Sequence, residues 1–564
     1  LVPEKIRNVA LVGHGGSGKT SLAEALLFVA GATTRLGSVD QGTSILDYDP
    51  EEQARKISLG LAVASLDWNG HKINVIDTPG YADFAGEARA ALRAADLALF
   101  VVSAVDGVEV GTELMWRVAA EEGIARAVFI TKLDRERASY DRTLAQLREA
   151  FGKGIAPIQV PVGEEHDLRG LARVVSGRVY LYEQGAKKGT LSDAPEAVRD
   201  RIAGAHTSLI ESVVETDEEM MERYFEGFEP EREIVVQTVH RGMIDGAIYP
   251  VLVGSAARLI GVDTLAEFLV DFAPNPLERV VPPVEEGSID PSPDGPLVAY
   301  AFKTFSDPFV GKISLFRVYS GSIPQDANLE VAGGAAFRMH NLFYLHGKDH
   351  TDAAKVVCGD IAAVAKVEGI RTGSTVRTPG SHVRIAPVVY PRPVMEMAIS
   401  PKSSHDEEKL SVALHRIVDE DPTLAVLRRQ ETGETLLAGL GDLHLDVTID
   451  RIARKFGVGV APALPRIPYR ESVTATADAE GKHKKQSGGR GQFGVANVRF
   501  SPRPRGSGYE FIDAVKGGTI PRQFIPAVDR GIQEALDRGI LAGYPVVDIA
   551  AEVYDGKYHS VDSD

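Results

Sequence analysis

The chain has 564 residues, too many for one hydrophobic core, so three to five domains are expected. Its 44% hydrophobic and 25% charged content is ordinary for a globular protein, and a net charge of -17 argues against a general nucleic-acid coat while leaving room for a local basic patch. No apolar run reaches the ~18 residues of a membrane span, no leader-like segment opens the chain, and the single cysteine, Cys358, excludes an internal disulfide. One cysteine fits a reducing cytoplasm, and a start at Leu1 rather than Met reads as a clipped N-terminus.

In chain order, the first 135 residues alternate short apolar runs with helical stretches. VALV (Val9 to Val12), INVI (Ile73 to Ile76), LALFVV (Leu97 to Val102) and AVFI (Ala127 to Ile130) read as buried strands. GTELMWRVAAEEG places Leu114 and Val118 on one helical face and stops at Gly123. The pattern predicts an α/β fold, a mostly parallel sheet covered by helices, with functional loops at the C-terminal ends of the strands.

From about 157 to 247 the rhythm changes to acidic helices, and TDEEMMERYF offers Thr216 and Glu219 as a capping box. Another strand, YPVLV, then precedes GSA at 254–256, so the acidic section reads as an insertion within a first domain of residues 1–280. The stretch 274–296 is rich in proline and acid and reads as a linker. Residues 297–388 are strand-like and glycine-punctuated, which predicts a β-barrel within a domain of 281–390. Residues 391–463 read as strand, helix, strand, helix, a small α/β unit, and a mixed domain follows over 464–564. No internal repeat is visible.

GHGGSGKT (Gly13, His14, Gly15, Gly16, Ser17, Gly18, Lys19, Thr20), with Ser21 next, comes directly after a strand and before a helix. Its glycines let backbone N–H groups curl around phosphates, Lys19 adds charge, and the Thr20 hydroxyl suits Mg2+. Asp77 ends a strand and suits Mg2+ through water, while the Gly80 N–H of DTPG reaches toward a γ-phosphate. TKLD (Thr131 to Asp134) ends another strand. The Asp134 carboxylate can accept the N1–H and N2–H2 pair of guanine, which adenine lacks, and the Lys132 stem can lie along the ring. The GSA turn adds Ser255 and the Ala256 N–H, aimed at guanine O6. In this order, at strand ends, the set reads as a site for GTP or GDP with Mg2+.

The order and spacing of these motifs resemble a translational GTPase of the elongation factor G family. The resemblance continues through PKSSHDEEKLSVALHRIVDEDPTL (Pro401 to Leu424) and ETGETLLAGLGDLHLDVTIDRI (Glu431 to Ile452), similar to that family's third domain. EGKHKKQSGGRGQFG (Glu480 to Gly494), KGGTIPRQFIPAVDRGIQEAL (Lys516 to Leu536) and LAGYPVVD (Leu541 to Asp548) are similar to its fourth. The resemblance covers essentially the whole chain. It implies a multidomain α/β and β architecture: a P-loop GTPase domain, a β-barrel and two α+β domains. The family's fifth domain would lie beyond Asp564, and its absence is read as truncation.

The resemblance also implies the partners. Lys482, Lys484, Lys485, Gly488, Gly489 and Arg490 form a basic, glycine-rich loop that, with His559 of YHSVD, corresponds to the tip entering the ribosomal decoding region, near tRNA and mRNA. A cytoplasmic monomer without a membrane partner is expected. His444 of GDLHL is read as packing at an interdomain joint, since no second metal ligand has suitable spacing.

Four departures fall on the chemistry. Gly16 stands where the family usually carries an aspartate that helps hold a monovalent cation. In ARKISLG (Ala54 to Gly60), Ser58 falls on the threonine that closes over Mg2+ and γ-phosphate, and Lys56 replaces a glycine. Thr131 replaces the asparagine of the guanine motif and loses its amide. Tyr81 replaces a histidine that places the attacking water. The expectation is a divergent paralogue that binds GTP and the ribosome and hydrolyses GTP slowly or with weak stimulation. It would serve translocation or, alternatively, act as a GTP-gated regulatory factor. An ATP-using enzyme is disfavoured by Asp134 and GSA, and a ribosomal-protection GTPase by the tip loops.

Overall fold

The run IRNVALV forms β1 (Ile6–Val12), and all seven of its residues are buried. An unbroken apolar run suits a strand covered by helices on both faces. The computed structural model describes residues 1–564 except 308, 309, 487, 490 and 564, with only the backbone described at 197 and 404. After β1 come α1 (Lys19–Val29), α2 (Pro50–Arg55), β2 (Ala62–Trp68), β3 (His71–Asp77), α3 (Ala85–Ala94) and β4 (Leu97–Ser103). Then follow α4 (Val110–Glu121), β5 (Ala125–Thr131), α5 (Tyr140–Phe151) and β6 (Ile155–Pro157). Gly123, with φ +63, follows α4, as its position at the end of the helical run predicts.

Between β6 and the next strand of this sheet lies a four-stranded antiparallel sheet of β7 (Gln159–Val162), β8 (Gly170–Arg173), β9 (Val179–Leu181) and β10 (Thr190–Ser192). Helices α6 (Glu196–Val214), α7 (Glu218–Phe225) and α8 (Arg232–Ile244) follow. The sequence showed the helices and not these strands, which at three or four residues are too short for alternation to register. The predicted cap is corrected by one residue. Asp217 caps α7 by accepting from the Met220 N–H at 2.9 Å, whereas Thr216 Oγ1 donates back to the Val213 carbonyl at 2.7 Å. The chain then returns as β11 (Tyr249–Val253) and α9 (Val262–Asp271).

The main sheet has the order β2-β3-β1-β4-β5-β11-β6, parallel except for β2, which pairs antiparallel with β3. The chain winds outward in both directions from β1, so a crevice opens at the C-terminal ends of β1, β3, β5 and β11.

The proline-rich stretch 274–296 is packed down rather than free. Arg279 is buried and donates to the Arg93 carbonyl at 2.7 Å, and Val284–Glu286 pairs with Arg384–Ile385. Proline content signalled a lack of regular structure, not a lack of contact. Next comes an eight-stranded antiparallel sheet whose longest pair is Val298–Asp307 with Gly311–Ser320. Along Val298–Phe302 the side chains alternate. Ala299 and Ala301 face that sheet's own core, while Val298, Tyr300 and Phe302 join the core of the first domain.

A buried polar seam crosses the same junction. Arg317 pairs with Asp96, Lys72 with Asp360 at 2.8 Å, and Asn8 donates to Asp96 at 2.8 Å and to the Gly359 carbonyl at 2.7 Å. Arg317, Asp96 and Asp360 are all buried.

Residues 395–463 begin with strand Met395–Pro401 and α10 (Glu407–Glu420) and continue through strand Glu434–Gly439 and α11 (Asp442–Phe456) to strand Val460–Ala463. Met395–Pro401 pairs antiparallel with both of the other strands named. The chain divides into two bodies, Leu1–Leu427 with Thr435–Ala463, and Arg428–Glu434 with Leu464–Asp564. The second contains the hairpin Ala477–Lys485 with Gln492–Pro502, then Ile549–Lys557 and its parallel neighbour Tyr509–Asp513. α12 (Ile525–Arg538) sets Ile525, Val528 and Ile532 against Val498, Ala551 and Val553. Among the described residues, no helix is long and apolar enough to cross a membrane.

Candidate nucleotide site

β1 runs directly into the loop Gly13–Gly18, and α1 begins at Lys19. Three of the loop glycines have positive φ: Gly13 at +140, Gly16 at +75 and Gly18 at +101. A β-carbon at Gly13 would also lie 2.6 Å from the Val101 carbonyl. Lys19 is buried and donates to the carbonyls of Gly13 at 3.1 Å and His14 at 2.8 Å, which aims its ammonium into the loop. Burial lowers Lys19 to about 8, against the opposing pull of Asp77, Asp47 and Glu109. A buried cation at a helix N-terminus, ringed by N–H groups, is suited to bind phosphate.

The three residues expected around Mg2+ converge. Thr20 Oγ1 donates to Asp77 Oδ2 at 2.6 Å and lies 3.0 Å from Ser58 Oγ. Asp77 Oδ1 is buried without a partner, and so is Asp47 Oδ2. Burial raises Asp77 to about 7 and Asp47 to about 6. Two hydroxyls and two carboxylates with unsatisfied oxygens fit a hard divalent cation, which would restore both acids to their charged form. Asp47 was not singled out from the sequence. It stands in DYDPEE, a charge run whose ordinary reading is a solvated face; its apolar neighbours Ile45 and Leu46 were the available signal.

At the other end of the crevice, Thr131 ends β5 and is buried, with its methyl turned toward Gly18. Lys132 has φ +59, and its ammonium stands 4.0 Å from Asp106. The side chain of Asp134 is nearly buried. The Gly254 N–H donates to the Ile130 carbonyl at 3.0 Å, which sets the GSA turn beside TKLD. Ser255 Oγ accepts from the Arg258 N–H at 3.1 Å, and its backbone donates to Ile260 at 2.9 Å, so Ser255 braces the turn that presents Ala256.

Both segments that flank the phosphate end rest on α11. Arg454 bonds Asp49 at 2.6 Å and Glu51 at 2.6 Å, and Arg55 bonds Asp450 at 2.8 Å. Leu59, Phe84 and Val447 form one buried cluster. The His444 N–H donates to Asp83 at 3.3 Å, and the Phe84 and His444 rings meet edge-on at 5.6 Å. His444 accepts at Nδ1 from the Leu440 N–H at 3.1 Å, so its Nε2 is the donor to Asp421 at 2.9 Å. It is a packed joint residue, as its sequence context suggested.

Four family descriptions match the chain in order: the elongation factor Tu GTP-binding domain over 4–275, and elongation factor G domain 2 over 296–378, domain III over 390–463 and domain IV over 465–564. An elongation factor G-like protein of Mycobacterium tuberculosis (strain CDC 1551 / Oshkosh) is 41% identical over all of this chain and 81% of the relative. The same holds for the protein of that name from strain ATCC 25618 / H37Rv. This chain belongs to the elongation factor G family. A crystal structure of a protein from Thermus thermophilus superposes with a TM-score of 0.86 at 39% identity, over all of this chain and 82% of that one. The elongation factor G family is a family of GTP-binding translation factors that act on the ribosome, and its first domain is a GTPase.

Set against the elongation factor G pattern, the departures have clear local geometry. Gly16 faces open space, so the position of the family's aspartate offers no ligand. Lys56 ends α2 in the left-handed region, φ 57 and ψ 38, where glycine would be unstrained. Tyr81 is 43% exposed and lies against Gly15.

In the second body, Lys482, Lys484 and Lys485 line the hairpin strand Ala477–Lys485, all exposed. Gly488 and Gly489 follow with φ +72 and +87, and Arg490 lies outside the described residues. Asp562 accepts from the Gly491 N–H at 2.9 Å and stands 3.2 Å from His559, so the hairpin and the YHSVD loop form one tip.

Proposed function

We propose that this protein is a GTP-driven ribosome factor in which the state of the γ-phosphate controls domain III. The observation that carries this reading is the seating of both flanking segments, through Asp49, Glu51, Leu59, Asp83 and Phe84, on the single helix α11. Gly13 to Ser21 hold the phosphates with Lys19. Asp134, Lys132, Thr131, Ser255 and Ala256 hold guanine. Thr20 and Ser58 would hold Mg2+, with Asp77 acting through water. When bound, Mg2+ would supply charge neutralisation at the phosphates. Ser58 and the Gly80 N–H report whether a γ-phosphate is there, and Tyr81 stands on the side from which water attacks. Loss of the γ-phosphate releases Ser58 and Gly80 and shifts α11 with them. The tip of Lys482, Lys484, Lys485, Gly488, Gly489, Arg490 and His559 meets RNA of the decoding region, next to tRNA and mRNA. The domain limits that go with this reading are 1–280, 281–390, 391–463 and 464–564.

A second reading, a GTP-gated regulatory binder with weak hydrolysis, is favoured by Gly16 and Tyr81 together. The deciding measurement is GTP hydrolysis with and without ribosomes, for the native protein and Tyr81→His. Strong ribosome stimulation of the native protein supports a working translocase. Tight GTP binding without stimulation supports the gated binder, and rescue by Tyr81→His then locates the defect at that side chain.

A further inference from the structure

Of the glycines in GHGGSGKT, Gly15 alone lacks a backbone reason to be glycine. Gly13, Gly16 and Gly18 have positive φ, and Gly15 does not. The nearest neighbour that a side chain at 15 would press on is Tyr81. A β-carbon there would lie 3.1 Å from Cε2, 3.2 Å from Cζ and 3.3 Å from Cδ2 of Tyr81, and these are its three nearest atoms. Such distances are tighter than ordinary carbon contacts. The turn carrying Tyr81 touches the loop at a second point. A β-carbon on Gly80 would fall 2.6 Å from both the Gly15 nitrogen and the His14 carbonyl carbon, and against the Lys19 ammonium. The phenol therefore lies with one edge, including its hydroxyl-bearing carbon, along the phosphate loop. Its other side is open to solvent.

We infer that Gly15 and Tyr81 act as one positioning unit: the missing side chain at 15 makes the seat that brings the Tyr81 hydroxyl to the attacking water. Gly15 is a positioning residue that works through Tyr81. The inference rests on the reading of this crevice as a GTP-hydrolysing site and deepens it. The phenol holds the water by a hydrogen bond and need not take its proton, because phosphoryl transfer depends on placement more than on a strong base.

The test is a double-mutant cycle of Gly15→Ala and Tyr81→His, with Tyr81→Phe alongside. GTP affinity and ribosome-dependent single-turnover hydrolysis are read for each. Gly15→Ala in the native background is expected to lower the hydrolysis rate about tenfold, with the loss in kcat rather than KM. The same change in the Tyr81→His background, where the ring is smaller, is expected to cost less than about threefold. Tyr81→Phe keeps the ring in its seat and is expected to lose about tenfold through the hydroxyl alone. Equal losses from Gly15→Ala in both backgrounds would overturn the inference, since the loop itself would then need glycine. So would a native rate in Tyr81→Phe, or tight GTP binding by the native protein with no hydrolysis. A native protein that does not bind GTP at all would instead remove the nucleotide reading, and this pair with it.

Discussion

At the base end of the crevice, Asp134 and Ala256 stand on turns fixed to β5 and β11 by backbone hydrogen bonds, Gly254 to Ile130 among them. At the phosphate end, Ser58 and Tyr81 stand on segments that also rest on α11: Asp49, Glu51 and Arg55 through ion pairs to residues more than 350 positions away in sequence, and Asp83 through the His444 N–H. One end belongs to the sheet and inherits its rigidity. The other is held in common with a second domain, so that a change at the phosphates has somewhere to go. The departures from the family pattern follow this division. Among them, only Thr131 lies at the base end, while Gly16, Lys56, Ser58 and Tyr81 all lie at the other.

The contrast can be tested first where it should be most rigid. Asp134→Asn replaces one of two acceptors with a donor facing guanine donors, and is expected to weaken GTP binding by about 100-fold or more. Equilibrium titration with a fluorescent GTP analogue checks this. An unchanged affinity would mean that base choice is not made at this end.

The phosphate end should instead respond to pH. Burial raises the Glu52 carboxyl from 4.5 to about 8 in the folded chain. Its Oε1 accepts from the Leu59 and Gly60 N–H groups, and its Oε2 closes the cap of α2 at Asp49. The folded pKa is the higher one, so the order of this segment is fully supported below about pH 4.5 and lost as pH rises through about 8. Hydrogen-exchange protection of residues 49–60, corrected for intrinsic rates, is expected to fall by more than about tenfold between about pH 5 and about pH 8. Glu52→Gln should flatten that dependence, while protection of β5 and β11 stays level in both proteins.

The smallest effect is expected at Lys56. Lys56→Gly relieves a left-handed backbone and is expected to stabilise the segment by up to about 1 kcal/mol, offset in part by the freedom glycine gains when unfolded. The same exchange experiment reads it as a severalfold rise in protection. A fall would mean that the lysine side chain, rather than the backbone, secures the turn.

The base end was the more legible from sequence for the same reason that it is rigid. TKLD and GSA follow apolar strands, so a local pattern fixes their place in space. Asp47 and Glu52 could not be read this way. Asp47 is drawn in beside Lys19 and Glu24 of α1, and Glu52 by the loop folding back to Leu59 and Gly60, and within DYDPEE itself nothing marks that. The short strands β7 to β10 escaped because three or four residues hold too little alternation, and Asp217 was passed over because Thr216 and Glu219 have the spacing of a capping box. The seat of Tyr81 on Gly15 joins two motifs that are well separated along the chain and is visible only in three dimensions.

The seam of Arg317, Asp96, Asn8, Asn74, Lys72 and Asp360 bears on how the chain can be cut. A fragment ending before the eight-stranded sheet would keep Asp96 and Lys72 and lose both of their charged partners. The cut would also uncover the apolar surface of the first domain that Val298, Tyr300 and Phe302 now close. The first two domains should therefore melt as one cooperative unit, and an isolated GTPase fragment is the wrong object on which to study this enzyme.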